Sequence, residues 1–260
     1  RATELYGQLT GMAAPLINLP AIVTMALSAS LVPAISEAVA LKNHKLVTAR
    51  AETGVRVSVM LGLPATVGIF VLAEPISILL YNNHEVGVSL AALSWGVLFL
   101  AITQTTTGIL QGIGKTLIPV KNMLIGAVAK VVINYAFTGI PTVNIKGAAY
   151  GSVVGYMLPA ILNFYAVAKF TGLAIDVNYM IIRPALATIF MGSAMVFGYG
   201  QLLAMGMRQS MATLIAIGLG TLAYGVLLLV LGGVKREDLE LLPGGHKLIK
   251  ILNRLGAMRR

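Results

Sequence analysis

The sequence has no cysteine, few charged residues and fewer acids still. Without cysteine there is no disulfide framework, thiolate nucleophile or cysteine-based metal site. Charged residues make up 11% of the 260, against about one quarter in a soluble domain, which excludes an ordinary soluble enzyme. Asp and Glu together number 9, and Glu37, Glu52, Glu74, Glu85 and Asp176 all fall in or beside loops. No acid lies deep in an apolar run, so paired carboxylates for acid–base catalysis are missing. The buried acids of a proton or sodium relay are missing for the same reason.

Histidines are also scarce. His44, His84 and His246 stand far apart in sequence, are read as solvated loop residues and give no support to metal chemistry. The string Gln111-Gly112-Ile113-Gly114-Lys115-Thr116 looks like the end of a phosphate-binding loop, but such a loop needs a glycine five residues before Gly114, and that position holds Ile109. It is read instead as a tight turn between two membrane helices, closed by Pro119. No cofactor and no nucleic acid is expected as a partner.

What the chain has in abundance is apolar surface: 57% hydrophobic residues and a mean hydropathy of +0.87. Seven apolar stretches stand out, at 12–35, 55–73, 86–110, 120–140, 147–168, 180–204 and 211–231. Each is long enough to cross a hydrocarbon core about 30 Å thick. The runs are continuous, whereas a barrel strand alternates over about ten residues, so the expected fold is an all-α, polytopic membrane helical bundle of seven spans. Pro15, Pro20, Pro64, Pro119, Pro159 and Pro184 lie in or at the ends of these runs. They predict kinks that are tolerated where neighbours satisfy the freed carbonyls.

The 19 Lys and Arg alternate with the spans. Lys42, Lys45, Arg50, Arg56, Lys115, Lys121, Lys169 and Arg183 fall in loops on one side, joined by Lys235, Arg236, Lys247, Lys250, Arg254, Arg259 and Arg260 of the tail. Arg1, Lys146 and Arg208 fall on the other side. The positive-inside rule then sets the N-terminus outside and the C-terminus in the cytoplasm. Residues 1–10 have no leader layout, so the first run is not expected to be a cleaved signal, and the chain begins as though cut from something longer. Residues 36–54 and the basic tail within 233–260, where Leu248, Leu252 and Leu255 oppose Lys247, Lys250 and Arg254, are read as amphipathic helices lying on anionic membrane lipid.

Lys130 alone among the cations lies inside an apolar run. Counted from Lys121 at about 1.5 Å per residue it sits roughly 14 Å deep, where a charged lysine costs about 2.5–3.5 kcal/mol. Asn134 is one turn further on the same face. The pair meets either a water-filled cavity or anionic group such as phosphate, or neighbouring carbonyls that leave Lys130 structural. Asn18, between Pro15 and Pro20, is a candidate where a broken helix exposes polar groups to a cavity. Gln104, with Thr105 to Thr107 and Asn163, is either a further substrate contact or an interhelical hydrogen-bonding group. Gly147, Gly151 and Gly155 repeat every fourth residue and make a ridge for close helix packing.

Several strings carry a more specific resemblance. Tyr6-Gly7-Gln8-Leu9-Thr10-Gly11, Pro15-Leu16-Ile17-Asn18-Leu19-Pro20 and Ser30-Leu31-Val32-Pro33-Ala34-Ile35-Ser36-Glu37-Ala38 are similar to the eighth-helix region of the stage V sporulation protein B family. Leu110 to Lys115, Pro119-Val120-Lys121-Asn122 and Gly147-Ala148-Ala149 extend the match. That family belongs to the polysaccharide-flippase branch of the MATE-like superfamily, which also holds drug extruders and lipid II flippases.

The resemblance implies a fourteen-helix, two-lobed transporter in the bacterial cell membrane, with residues 1–260 as helices eight to fourteen and the N-terminal lobe as partner. It implies a membrane transporter, not an enzyme, that flips an undecaprenyl-pyrophosphate-linked saccharide by alternating access in cell-wall, polysaccharide or spore-cortex biogenesis. Lys130, assisted by Asn134, would be this half's contribution to a cationic cavity. Pro15 stands where lipid II flippases carry an arginine, which points to a lipid-linked saccharide in general. The alternatives are a cation-coupled drug antiporter of the same fold and a non-transporting scaffold for cell-wall enzymes.

Overall fold

Three residues, 41–43, reverse the chain between its first two long helices. Lys42 adopts the left-handed conformation, φ 53°, and the Asn43 side chain caps the next helix by accepting from the Leu46 N–H at 3.0 Å. The helices so joined are α2 (Ala14–Ala40) and α3 (His44–Val71). In this computed structural model residues 2–138 and 145–234 are described, and every regular element among them is helical. A short α1 (Ala2–Gly7) leads through a π-helical segment (Gln8–Ala13) into α2. After α3 come α4 (Ala73–Tyr81), α5 (His84–Ser94), α6 (Gly96–Gly112), α7 (Leu117–Thr138) and α8 (Ile145–Thr171). A second π-helical segment (Asn178–Ile182) precedes α9 (Arg183–Ala204), and α10 (Gln209–Val230) follows.

Among the described residues six helices are long and apolar enough to cross a membrane, and α5 with α6, bent by 46°, counts as a seventh when the pair is taken as one span. The polytopic bundle expected from the apolar runs is therefore observed, with two corrections. Residues 36–54 form no separate surface helix: α2 and α3 continue through them to a three-residue turn, because a charged helix end is still a helix. The second span accordingly starts at His44 and not near 55, so Arg56 is not a loop cation but sits in the middle of α3, 5% exposed. The tail within 233–260 lies, from residue 235 on, outside the described residues.

α6 is the hub, packed against α2, α3 and α8. Leu27, Leu31 and Ile35 of α2 meet Val55 and Val57 of α3, Ile109 and Leu110 of α6 and Val167 of α8 in one cluster. Glycines set these distances: a Cβ on Gly108 would strike the Ser28 side chain and backbone, and one on Gly112 would lie 2.9 Å from Ile35 Cβ. α7 is different, since it packs along α8 and barely touches α6.

Both π-helical segments run directly into a proline near the start of an α-helix, Pro15 and Pro184. A proline ring crowds the carbonyl four residues back, and a wider turn relieves that crowding. At the first segment the Met12 carbonyl accepts from the Tyr81 hydroxyl at 3.2 Å.

Candidate functional site

Lys130 and Asn134 occupy one face of α7, and that face lies on the glycine ridge of α8. Gly155 sits against the Lys130 side chain, where an added Cβ would be 3.1 Å from Lys130 Cβ. A Cβ on Gly151 would collide with the Asn134 carboxamide, and one on Gly147 would lie 2.9 Å from the Phe137 backbone. Gly126 completes the seam from the α7 side, 2.5 Å from the Gly155 carbonyl by the same measure. The small-residue ridge read from the sequence is thus the surface on which α7 rests.

Among the described residues neither the Lys130 ammonium nor Asn134 Oδ1 has a hydrogen-bond partner. Asn134 Oδ1 is buried and unbonded, which in a membrane span has a cost of its own. Between described residues Arg50 pairs with Glu37 at 3.3 Å, and the His84 ring nitrogen Nδ1 lies 2.8 Å from the Glu74 carboxylate. Neither involves Lys130, and no hydrogen bond among the described residues engages its ammonium. Lys130 itself is half-buried.

The other two candidates lie elsewhere. Asn18 is exposed on α2, beside Leu19 and Ile22, which are 59% and 61% exposed. Gln104 accepts from the Thr24 hydroxyl at 2.5 Å, and its backbone carbonyl accepts from Ser28 at 2.8 Å. Gln104 therefore ties α6 to α2, the interhelical role left open for it. α2 and α7 form no packed pair, so this chain brings Lys130 together with Asn134 but not with Asn18 or Gln104.

A second polar chain crosses three helices. Asn122 of α7 donates to Asn163 Oδ1 at 2.8 Å, and Asn163 donates to Thr107 Oγ1 at 3.3 Å. Asn163 is fully buried and acts as interhelical glue. The sequence marks Asn163 as a polar group within an apolar run, and Asn122 only as part of the Pro119-Val120-Lys121-Asn122 string.

Most of the cations lie at one end of the bundle, beside Glu37, Glu52 and Asp176. Lys115 lies 5.0 Å over the Phe170 ring, Thr48 donates to the Thr171 carbonyl at 2.5 Å and Arg183 donates to the Gly232 carbonyl at 2.5 Å, which gathers the basic turns at one end. At the other end Gln8 donates to Glu85 at 3.3 Å, near Glu74 and His84.

A family model described as "Lipid II flippase MurJ" matches residues 12–231. Stage V sporulation protein B of Bacillus subtilis (strain 168) is 29% identical over 244 residues, covering 93% of this chain and 46% of that protein. Lipid II flippase MurJ of the same organism is 28% identical over 163 residues, 60% of this chain and 29% of the relative. Among solved structures, the inward closed conformation of lipid II flippase MurJ superimposes with a TM-score of 0.70 at 15% identity, covering 88% of this chain and 47% of that one. The chain spans less than half the length of each of these relatives.

Proposed function

The chain belongs to the lipid II flippase MurJ family, and on that premise we infer that it forms helices eight to fourteen of a two-lobed flippase for a lipid-linked saccharide. Its substrate is an undecaprenyl-pyrophosphate-linked sugar, moved from the cytoplasmic to the outer leaflet by alternating access. The protein is a transporter, not an enzyme, it lies in the bacterial cell membrane with its C-terminus cytoplasmic, and its partners are membrane lipid and the N-terminal lobe.

The observation that carries this reading is the pair Lys130 and Asn134. A lysine in mid-span, with an ammonium that no described residue engages, needs something to offset a cost of about 2.5–3.5 kcal/mol. A pyrophosphate offers charge-assisted hydrogen bonds to Lys130 and accepts from the Asn134 amide. No acid lies in the spans beside Lys130 to neutralise it or to bind a coupling cation, which favours an anionic substrate over a cationic drug. Asn18 stands on the exposed face of α2, available to the other lobe. Gln104 serves that face by holding α2 in place.

The test is rescue of a flippase-deficient bacterium by the full-length protein, compared with Lys130→Ala and Lys130→Arg at matched membrane abundance. Rescue lost with Ala and kept with Arg is the expected outcome. Rescue by all three would reduce Lys130 to packing, and no rescue by the unaltered protein would favour the antiporter or the scaffold.

A further inference from the structure

A cavity of about 560 Å³ opens at the end of the bundle opposite the basic turns, lined by neither α7 nor α8. It lies between the end of α3, the short pair α4 and α5, and the facing ends of α9 and α10. Phe70, Glu74, His84, Val88, Tyr199 and Gln209 contribute its distinctive groups. Its volume is in the range of small-molecule sites, and its lining combines apolar walls with a few polar groups.

The chemistry of the lining narrows the ligand. No lysine or arginine lines the cavity, so it lacks the fixed cations that favour a phosphate over a neutral group. Glu74 already bonds His84 through Oε1 at 2.8 Å, which favours a neutral ligand over an amine that would compete for the carboxylate. Its second oxygen remains an acceptor, while the Tyr199 hydroxyl and the Gln209 amide both donate and accept. Phe70 supplies an apolar wall and is itself buttressed by Trp95, ring centroids 5.4 Å apart. An aromatic side chain lining the same cavity as groups that bond hydroxyls suits a sugar ring, whose faces are apolar and whose rim is hydroxylated.

The site is also held in place. A Cβ on Gly87 would lie 2.8 Å from Glu74 Cα, so α5 rests directly on α4 at the residue that carries the carboxylate. Asn83 caps α5 by accepting from the Glu85 N–H at 2.9 Å, which fixes His84 at the start of that helix.

We propose that this cavity binds the uncharged sugar portion of a lipid-linked saccharide at the end of the bundle opposite the basic turns. The proposal rests on the flippase reading and adds a second station to it: Lys130 and Asn134 meet the pyrophosphate in mid-span, and the cavity holds a sugar on the outer side.

The experiment uses the full-length protein in lipid nanodiscs and N,N′-diacetylchitobiose as the probe, with saturation-transfer NMR reading its binding. Saturable binding, weakened at least tenfold by Glu74→Gln and severalfold by Tyr199→Phe with melting temperature unchanged, is the expected result. Absent binding, or binding that neither variant weakens, overturns the proposal. So does displacement of the probe by an ethanolamine phospholipid at stoichiometric amounts, which would make the cavity a lipid-headgroup site. Flipping of a lipid-linked saccharide, measured in vesicles of the same protein, separates the two ideas: flipping without disaccharide binding sinks this proposal and leaves the transport reading standing.

Discussion

Pro64 cannot donate to the carbonyl of Met60 one turn earlier in α3, and Tyr224 of α10 does so instead, its hydroxyl 2.7 Å from that oxygen. The proline therefore does more than tolerate its place in a span. It frees an acceptor that fastens α10 to α3, since a carbonyl left unbonded in lipid is costly. Tyr224→Phe is expected to destabilise the protein by about 1 kcal/mol, the scale of interhelical hydrogen bonds in membranes. In a Pro64→Ala background, where the introduced alanine supplies the intrahelical N–H, the same change is expected to cost close to nothing. Equal cost in both backgrounds, measured by steric-trap unfolding in bicelles, would mean that the phenol contributes packing and not this bond.

The break between α5 and α6 shows the same logic in an element without proline. The helix bends by 46° at Trp95, and the Leu98 N–H, lost to the helical ladder, donates to the buried Thr66 hydroxyl of α3 at 3.1 Å. Thr66→Val keeps the shape and removes the acceptor, so it is expected to cost about 1–3 kcal/mol, the penalty of an orphaned buried donor. Thr66→Ser keeps the acceptor and should cost less. If Val and Ser prove equally mild in thermal unfolding, the bend does not depend on Thr66. The existence of this span was legible in the sequence because lipid demands a continuous apolar run, but its bend was not, because the compensating hydroxyl is 32 residues away. The ends of α3 were hidden for a related reason: its first turns carry Lys45, Arg50 and Glu52, and hydropathy detects the bilayer, not the helix. The candidate site divides in the same way. Lys130 and Asn134 could be paired from their one-turn spacing alone, whereas Glu74, His84, Tyr199 and Gln209 come from four helices in two distant stretches of the chain and meet only in the folded bundle.

At the scale of the whole molecule, the two ends differ in charge and the two sides differ in packing. α2 leaves Leu19, Ile22 and Met25 each more than half exposed, and α7 rests on α8 with most of its surface bare, consistent with one half of a larger two-lobed assembly. The ends determine orientation. Lys42, Lys45, Lys115 and Lys169 crowd one end, Glu74, Glu85 and Arg208 the other, and inward placement of the basic loops is the stronger topological signal because acids contribute little to it. The chain contains no cysteine, so single cysteines introduced into it report their own side. Lys115→Cys and Lys42→Cys are expected to react with an impermeant maleimide only after cells are opened, whereas His84→Cys and Arg208→Cys are expected to react in intact cells. The reverse pattern would turn the bundle over, carry the Glu74 cavity to the cytoplasmic face and contradict the outer sugar station proposed for it. A mixed pattern, with Lys115→Cys inside and Lys42→Cys outside, would instead break the alternation of the spans, since the two turns are joined to the same packed pair, α2 and α6.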